Sequence, residues 1–289
     1  MTAPDSFAYL LQADSFAKDK ASAIRRLAES KRDWIVVDPD FSKGIPWTKS
    51  DLEAIRRAKP GRKVIAYLSI GEAEDYRSYW KDDWVSNGIP THSAPPWLVA
   101  ENPEWAGNYR VKYWDADWQA IMLRAVDVAM TSGFDGVYLD IVNGFEFFEK
   151  KGREFIDDRL NPETGRSYRL DMIAWVKAIA GRARKGQAAA VVIPQNGSQL
   201  LAYPDYLAAI DAIGIEDLFT DGDRLNPKSE ADDILGFLKK MKAKNKPVLL
   251  IEYPTTEERK EFVEKAAQKQ GFAWLLTDRN LTTLGISGK

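Results

Sequence analysis

Short, wholly apolar runs recur along this chain, and one after another they stop on an acidic or amide residue. Phe-Asp-Gly-Val-Tyr-Leu-Asp ends at Asp140, Val-Ile-Ala-Tyr-Leu-Ser-Ile-Gly-Glu at Glu72, and Ala-Ile-Gly-Ile-Glu at Glu216. The same happens at Gln12, Asp38, Asn196, Glu252 and Asp278. A strand that is apolar on both faces is covered on both faces, as parallel strands under helices are, and a polar last residue then marks its C-terminal tip. The runs predict strands over 7–12, 34–38, 64–69, 136–140, 190–195, 213–216, 248–253 and 272–277.

The intervals carry helical spacing. A helix opened by Asp14 or Ser15 would turn Ile24 and Leu27 inward, and Ser50-Asp51-Leu52-Glu53 reads as a capping box ahead of a helix stopped by Pro60-Gly61. An amphipathic helix is predicted over 115–132 with Gly133 as its stop, and others over 167–183, 204–212, 229–244 and from Thr255 to Gln270. Eight strands alternating with helices predict an α/β fold, a (β/α)8 TIM barrel forming one domain over residues 1–289. An open doubly wound sheet is the fallback; no Gly-x-Gly-x-x-Gly follows any strand, which argues against dinucleotide binding. Two connections exceed a simple βα loop, residues 71–114 after strand three and 141–166 after strand four. Both leave C-terminal strand ends, the face on which barrel enzymes build their sites.

Composition narrows the chemistry. The formal net charge is −2, against the clustered excess of Lys and Arg that nucleic acid requires. No apolar stretch approaches the ~20 residues of a membrane span. There is no cysteine and only one histidine, His92, so thiol nucleophiles, thiolate zinc sites, His-rich metal centres and disulfides are out, and no metal or cofactor is expected. His92 lies in the turn-rich Pro-Thr-His-Ser-Ala-Pro-Pro and reads as a solvent-facing residue. A monomer is expected.

What remains is carboxylate chemistry, and paired carboxylates at strand tips suit glycoside hydrolysis. Asp140, ending strand four, is the first candidate. Glu216, ending strand six, is the second, two strands away at ~4.8 Å per step; Glu252, ending strand seven, is its rival. Asp38, Glu72, Tyr138, Gln195 and Asn196 are polar groups placed to meet sugar hydroxyls. Six of the ten tryptophans (Trp80, Trp84, Trp97, Trp105, Trp114 and Trp118) fall in or just after the first long connection. Most should pack that loop onto the barrel, with Trp97 and Trp114 as candidates for stacking on a polysaccharide or oligosaccharide substrate.

Several segments, in order, resemble glycoside hydrolase family 114: Val-Ile-Ala-Tyr-Leu-Ser-Ile-Gly-Glu-Ala-Glu-Asp-Tyr-Arg, Val-Lys-Tyr-Trp, Gly-Phe-Asp-Gly-Val-Tyr-Leu-Asp, Pro-Gln-Asn-Gly and Gly-Ile-Glu-Asp-Leu-Phe. The resemblance covers nearly the whole chain. It implies a (β/α)8 barrel, endo-α-1,4-polygalactosaminidase activity without a cofactor, and Asp140 and Glu216 as the catalytic pair. By analogy Asp140 is the nucleophile and Glu216 the acid/base, which lowers the standing of Glu252 to a substrate-binding position. A non-catalytic carbohydrate-binding barrel and a hydrolase of another α-galactoside are the alternatives. The resemblance also implies an extracellular or periplasmic location, whereas Met-Thr-Ala-Pro-Asp-Ser has no basic or apolar leader and leaves a cytoplasmic one open.

Overall fold

Residues 3–289 are described by a computed structural model. Eight parallel strands follow one another: β1 (Phe7–Leu10), β2 (Trp34–Val37), β3 (Lys63–Ser69), β4 (Gly136–Asp140), β5 (Val191–Pro194), β6 (Ile213–Glu216), β7 (Val248–Glu252) and β8 (Ala273–Leu276). Continuous ladders join β1 through β5 and β6 through β8, and one bridge from Gln195 to Gly214 carries the ring from β5 to β6. The last gap is spanned by the C-terminal segment. Ile286–Gly288 runs antiparallel along β8, Ser287 Oγ accepts from the Phe7 amide at 2.9 Å, and the Leu281 carbonyl accepts from the Leu11 and Gln12 amides at 3.1 and 3.2 Å. The fold is the expected TIM barrel.

The strands lie within about two residues of their predicted bounds because local pattern and burial agree along each of them. The helix Ala116–Ser132 likewise starts on its Asp115 cap and stops at Gly133, whose φ of 96° suits glycine. Two helix starts differ from expectation. Asp14 and Ser15 fall inside a one-turn helix, Ala13–Phe16, and the main helix Lys20–Glu29 is capped by Asp19, which accepts from the Ser22 amide at 2.7 Å. The capping box before Lys49–Arg57 is Thr48 with Asp51, not Ser50 with Glu53, because Thr48 is the residue with extended backbone.

Strand parity separates two cores. One fills the barrel interior with Phe7, Tyr9, Val36, Tyr67, Tyr138, Ile193, Ile251 and Leu275, and the other, between barrel and helices, takes alternate residues such as Ile35, Leu68, Leu139 and Leu250. The long connection after β3 is itself structured. Glu72–Glu74 pairs with Asn108–Val111, which pairs with Leu98–Glu101, so this loop lays a small antiparallel sheet over the barrel mouth. The connection after β4 forms the helix Phe145–Glu149 and a short hairpin. Among the described residues, no helix is long and apolar enough to cross a membrane.

Candidate functional site

Parity decides which tips look into the barrel. On β4, Tyr138 and Asp140 share the inward face; on β5 it is Ile193 and Gln195; on β6, Gly214 and Glu216. Each of these strands is then broken by a residue in the left-handed region: Ile141 at φ 56°, Asn196 at 59° and Asp217 at 49°. For a β-branched isoleucine that conformation costs on the order of 1–3 kcal/mol, which the surrounding packing must hold. The turn aims the Ile141 amide back at Asp140 Oδ1, 2.7 Å away. It also presses the Ile141 carbonyl against Gly71, where a β-carbon would lie 2.3 Å from that oxygen.

Asp140 accepts a second hydrogen bond, from the Tyr67 hydroxyl to Oδ2 at 2.8 Å. Burial raises its pKa, while these two donors pull the other way by favouring the carboxylate. Glu216 accepts from the Gln195 amide on Oε2 and from the Tyr253 hydroxyl on Oε1, and its own amide donates to Asn196 Oδ1 at 3.1 Å. The fully buried Tyr138 donates to Gln195 Oε1, so a chain of donors runs from Tyr138 through Gln195 to Glu216. Burial, and next the charge of Asp140, push Glu216 up to about 8. The two carboxylates therefore feel one another.

A third acid joins them. Glu72 is buried, accepts from Asn102 Nδ2 at 3.0 Å, and is raised to about 7 by burial and by Asp140, against the pull of Arg110. Glu74 is held by Arg77 Nε at 2.7 Å and by the Tyr76 hydroxyl. Arg77 also forks onto Asp38, at 2.9 and 2.6 Å. Both oxygens of Asp38 are thus occupied by a guanidinium, and its direct contact with a sugar gives way to a role in holding Arg77 at the mouth.

Two further expectations, Glu252 and Trp97, are corrected, and Trp114 has packing of its own. Glu252 has the outward parity of Val248 and Leu250. It is completely buried and accepts from the Phe219 amide at 2.7 Å, the Thr220 amide at 3.1 Å and the Thr220 hydroxyl at 2.7 Å. It clamps the loop after β6 and does not face the interior. Trp97 is 2% exposed, wedged between Trp84 and Trp118 at 5.4 and 5.0 Å between ring centres. Trp114 packs against Phe148 and Tyr168 and donates its indole N–H to Glu163 at 2.9 Å. Trp97 presents no free face, because the loop needs it for its own core, whereas Trp114 is half-buried at the edge of that core. His92 is exposed, as expected.

Glu252→Gln is expected to leave only one acceptor oxygen for three inward-pointing donors. Each donor left unpaired costs about 1–3 kcal/mol, so Tm should fall markedly while turnover per folded molecule stays close to wild type. Thermal melts alongside active-site-normalised rates decide this.

The residues that sequence reasoning missed are Tyr67 and Tyr253, which bond the two carboxylates, and Arg77. No sequence signal marked the two tyrosines, since their strands are apolar on both faces; in the structure Tyr67 shares the inward face of Ile65, and Tyr253 that of Ile251. No candidate group of three or more metal-ligating side chains occurs among the described residues. A cavity of about 700 Å³ does open at the opposite end of the barrel, beside Trp34, Lys63, Arg184 and Asp211, away from these acids.

With this geometry in view, comparison with known proteins is informative. Residues 6–288 match glycoside-hydrolase family GH114. A protein of Deinococcus radiodurans is 34% identical over 251 residues, 86% of this chain and 74% of its own length. One from Methanocaldococcus jannaschii is 34% identical over 276 residues, 90% of this chain and 75% of its own. Among solved structures, the glycoside hydrolase domain of PelA from Pseudomonas aeruginosa superposes with a TM-score of 0.69 at 18% identity, covering 98% of each chain. Aspergillus fumigatus Ega3, in complex with galactosamine, gives 0.66 at 20% identity, covering 96% of this chain and 92% of its own. At such identities the last two speak for the fold.

Proposed function

The chain belongs to glycoside-hydrolase family GH114, and from that premise we propose that it cleaves α-1,4-linked galactosamine-containing polysaccharide at internal bonds, with Asp140 and Glu216 as its two carboxylates. One observation carries the reading: two inward acids from β4 and β6 share one interior, each buried and each a candidate to keep a proton. Burial raises both, and the charge of Asp140 adds to it at Glu216, raised to about 8, which makes Glu216 the one assigned to hold the proton at neutral pH and leaves Asp140 as the nucleophile. Asp140 would attack the anomeric carbon as Glu216 protonates the departing glycosidic oxygen. The deprotonated Glu216 then takes a proton from water, whose oxygen displaces Asp140 from the sugar.

The substrate assignment draws on charge. Glu72 and Glu74 stand with Asp140 and Glu216 at one end of the barrel, where Arg77 neutralises Glu74 and leaves Asp140 and Glu72 as the acids open to a cation. Such a mouth favours a cationic, de-N-acetylated amino sugar. Ega3, which shares the fold, was captured with galactosamine. Glu72, Gln195, Asn196 and Tyr138 are assigned to the sugar nearest the cleaved bond, Tyr138 through its hold on Gln195.

The direct test is incubation with partly de-N-acetylated galactosamine polymer, reading products by mass spectrometry. Internal fragments are expected. Binding without fragments would indicate a carbohydrate-binding barrel, and cleavage confined to neutral galactosides a different hydrolase.

A binding wall beyond the reacting sugar falls to Tyr76, 42% exposed on the loop after β3, with Arg77 4.8 Å from its ring centre on one face. Tyr76→Ala is expected to weaken polymer binding about 2- to 30-fold, the range of an aromatic contact with a cationic sugar. Cleavage of a short activated substrate should barely change, since the remote contact is absent there. Equal losses on both substrates would place Tyr76 elsewhere in the mechanism.

A further inference from the structure

Four tyrosines project from the strands into the barrel interior: Tyr9, Tyr67, Tyr138 and Tyr253. Three have evident work, since Tyr67 bonds Asp140, Tyr138 bonds Gln195, and Tyr253 bonds Glu216. Tyr9 differs. It is 1% exposed, and its ring lies against Tyr138 and Tyr67, with centres 5.0 and 6.2 Å apart. Yet its hydroxyl makes no side-chain or backbone hydrogen bond among the described residues, nor is it one of the sealed polar atoms there that lack one, such as Tyr206 Oη and Trp274 Nε1. A buried phenol without a protein partner whose oxygen is nonetheless open must look into the interior space. Burial raises its pKa, and the charges of both Asp140 and Glu216 reach it and raise it further, so it is a neutral O–H donor close to both acids.

An unpaired hydroxyl at this depth is costly unless something completes it. We propose that Tyr9 is a sugar-contacting residue, its hydroxyl donating to an oxygen of the glycosyl unit held between Asp140 and Glu216. The first strand thereby sets how deep that sugar sits. The inference rests on the proposed glycosidase reading and adds a residue to it. The ring supplies the packing and the hydroxyl the contact, which makes the two separable by one substitution.

Tyr9→Phe keeps the ring and removes only the oxygen, so Tm of the free protein should be unchanged or slightly higher. Polymer cleavage should lose about 3- to 10-fold in kcat/KM, the worth of one neutral hydrogen bond, with part of the loss in kcat because the contact lies at the reacting sugar. The pH profile should keep its limbs, whereas Tyr67→Phe and Tyr253→Phe, which remove partners of the carboxylates, should displace them. Calorimetric binding of galactosamine should weaken by a similar factor in Tyr9→Phe. A Tyr9→Phe protein that matches wild type in cleavage and binding overturns the inference, as does one whose Tm falls by several degrees, since the hydroxyl would then serve the fold. If the wild-type protein cleaves no galactosamine polymer at all, the proposed function itself fails and the sugar contact goes with it; the two failures are therefore distinguishable.

Discussion

Asp140→Asn and Glu216→Gln should each yield a folded protein with about 10²- to 10⁴-fold less turnover on galactosamine polymer, the range expected when a catalytic acid or base is lost. Both replacements conserve volume, and both sites open onto the barrel interior, so packing is preserved. Near-native activity in a correctly folded Asp140→Asn protein would end the assignment. The rival pairing has its own signature: if Glu252→Gln silenced catalysis and Glu216→Gln did not, β7 would be the partner of β4.

Acidity sharpens this test. Glu216 is raised from 4.5 to about 8, so the acid form is present below about pH 8 and is lost as pH rises through that value. The alkaline limb of kcat/KM should fall there. Stability follows with the opposite sign to an ordinary ion-paired carboxylate. Between about pH 4.5 and 8 the folded protein keeps a proton that the unfolded chain has released, so stability declines as pH rises through this window. Glu72 and Glu252, each raised to about 7, act in the same direction. In Glu216→Gln the decline in Tm with rising pH should be shallower than in wild type, and an unchanged slope would mean that Glu216 is already ionised at neutrality.

The second large effect is expected at Gly214, in the middle of β6. A β-carbon there would lie 1.8 Å from the Tyr138 hydroxyl and 2.7 Å from its Cζ. Tyr138 cannot withdraw: it is fully buried, its hydroxyl is engaged by Gln195, and its ring lies against Tyr9. Gly214→Ala should cost about 3 kcal/mol or more, at the upper end of overpacking penalties. Turnover should fall as well, because any shift of Tyr138 moves Gln195 and so Glu216. The double variant Gly214→Ala with Tyr138→Phe should recover part of the stability and little of the activity. A Gly214→Ala protein as stable as wild type would show that the hydroxyl is free to move.

The chain's own pattern was enough for the barrel and put Asp140 and Glu216 forward as candidates, with Glu252 left open beside Glu216. Eight apolar runs with polar ends, alternating with capped helical segments, admit few other topologies, and Asp140 and Glu216 close strands whose whole length is buried. Helix starts were less legible, since Thr48 and Asp19 compete locally with Ser50, Asp14 and Ser15, and only backbone geometry chooses between neighbouring caps. The roles of Glu252, Trp97 and Asp38 were decided by tertiary structure alone. A strand buried on both faces shows no polar–apolar alternation, so sequence does not say whether Glu252 or the adjacent Tyr253 looks inward; barrel closure sets that parity and turns Tyr253 to Glu216. Trp97 reads the same whether it lines a cleft or fills a core, and only the folded loop places it between Trp84 and Trp118. Asp38 is tied by Arg77, 39 positions away in the chain. The pairing of Tyr138 with Gln195, 57 positions apart, arises likewise because parallel strands bring distant residues side by side with a register that no local pattern encodes.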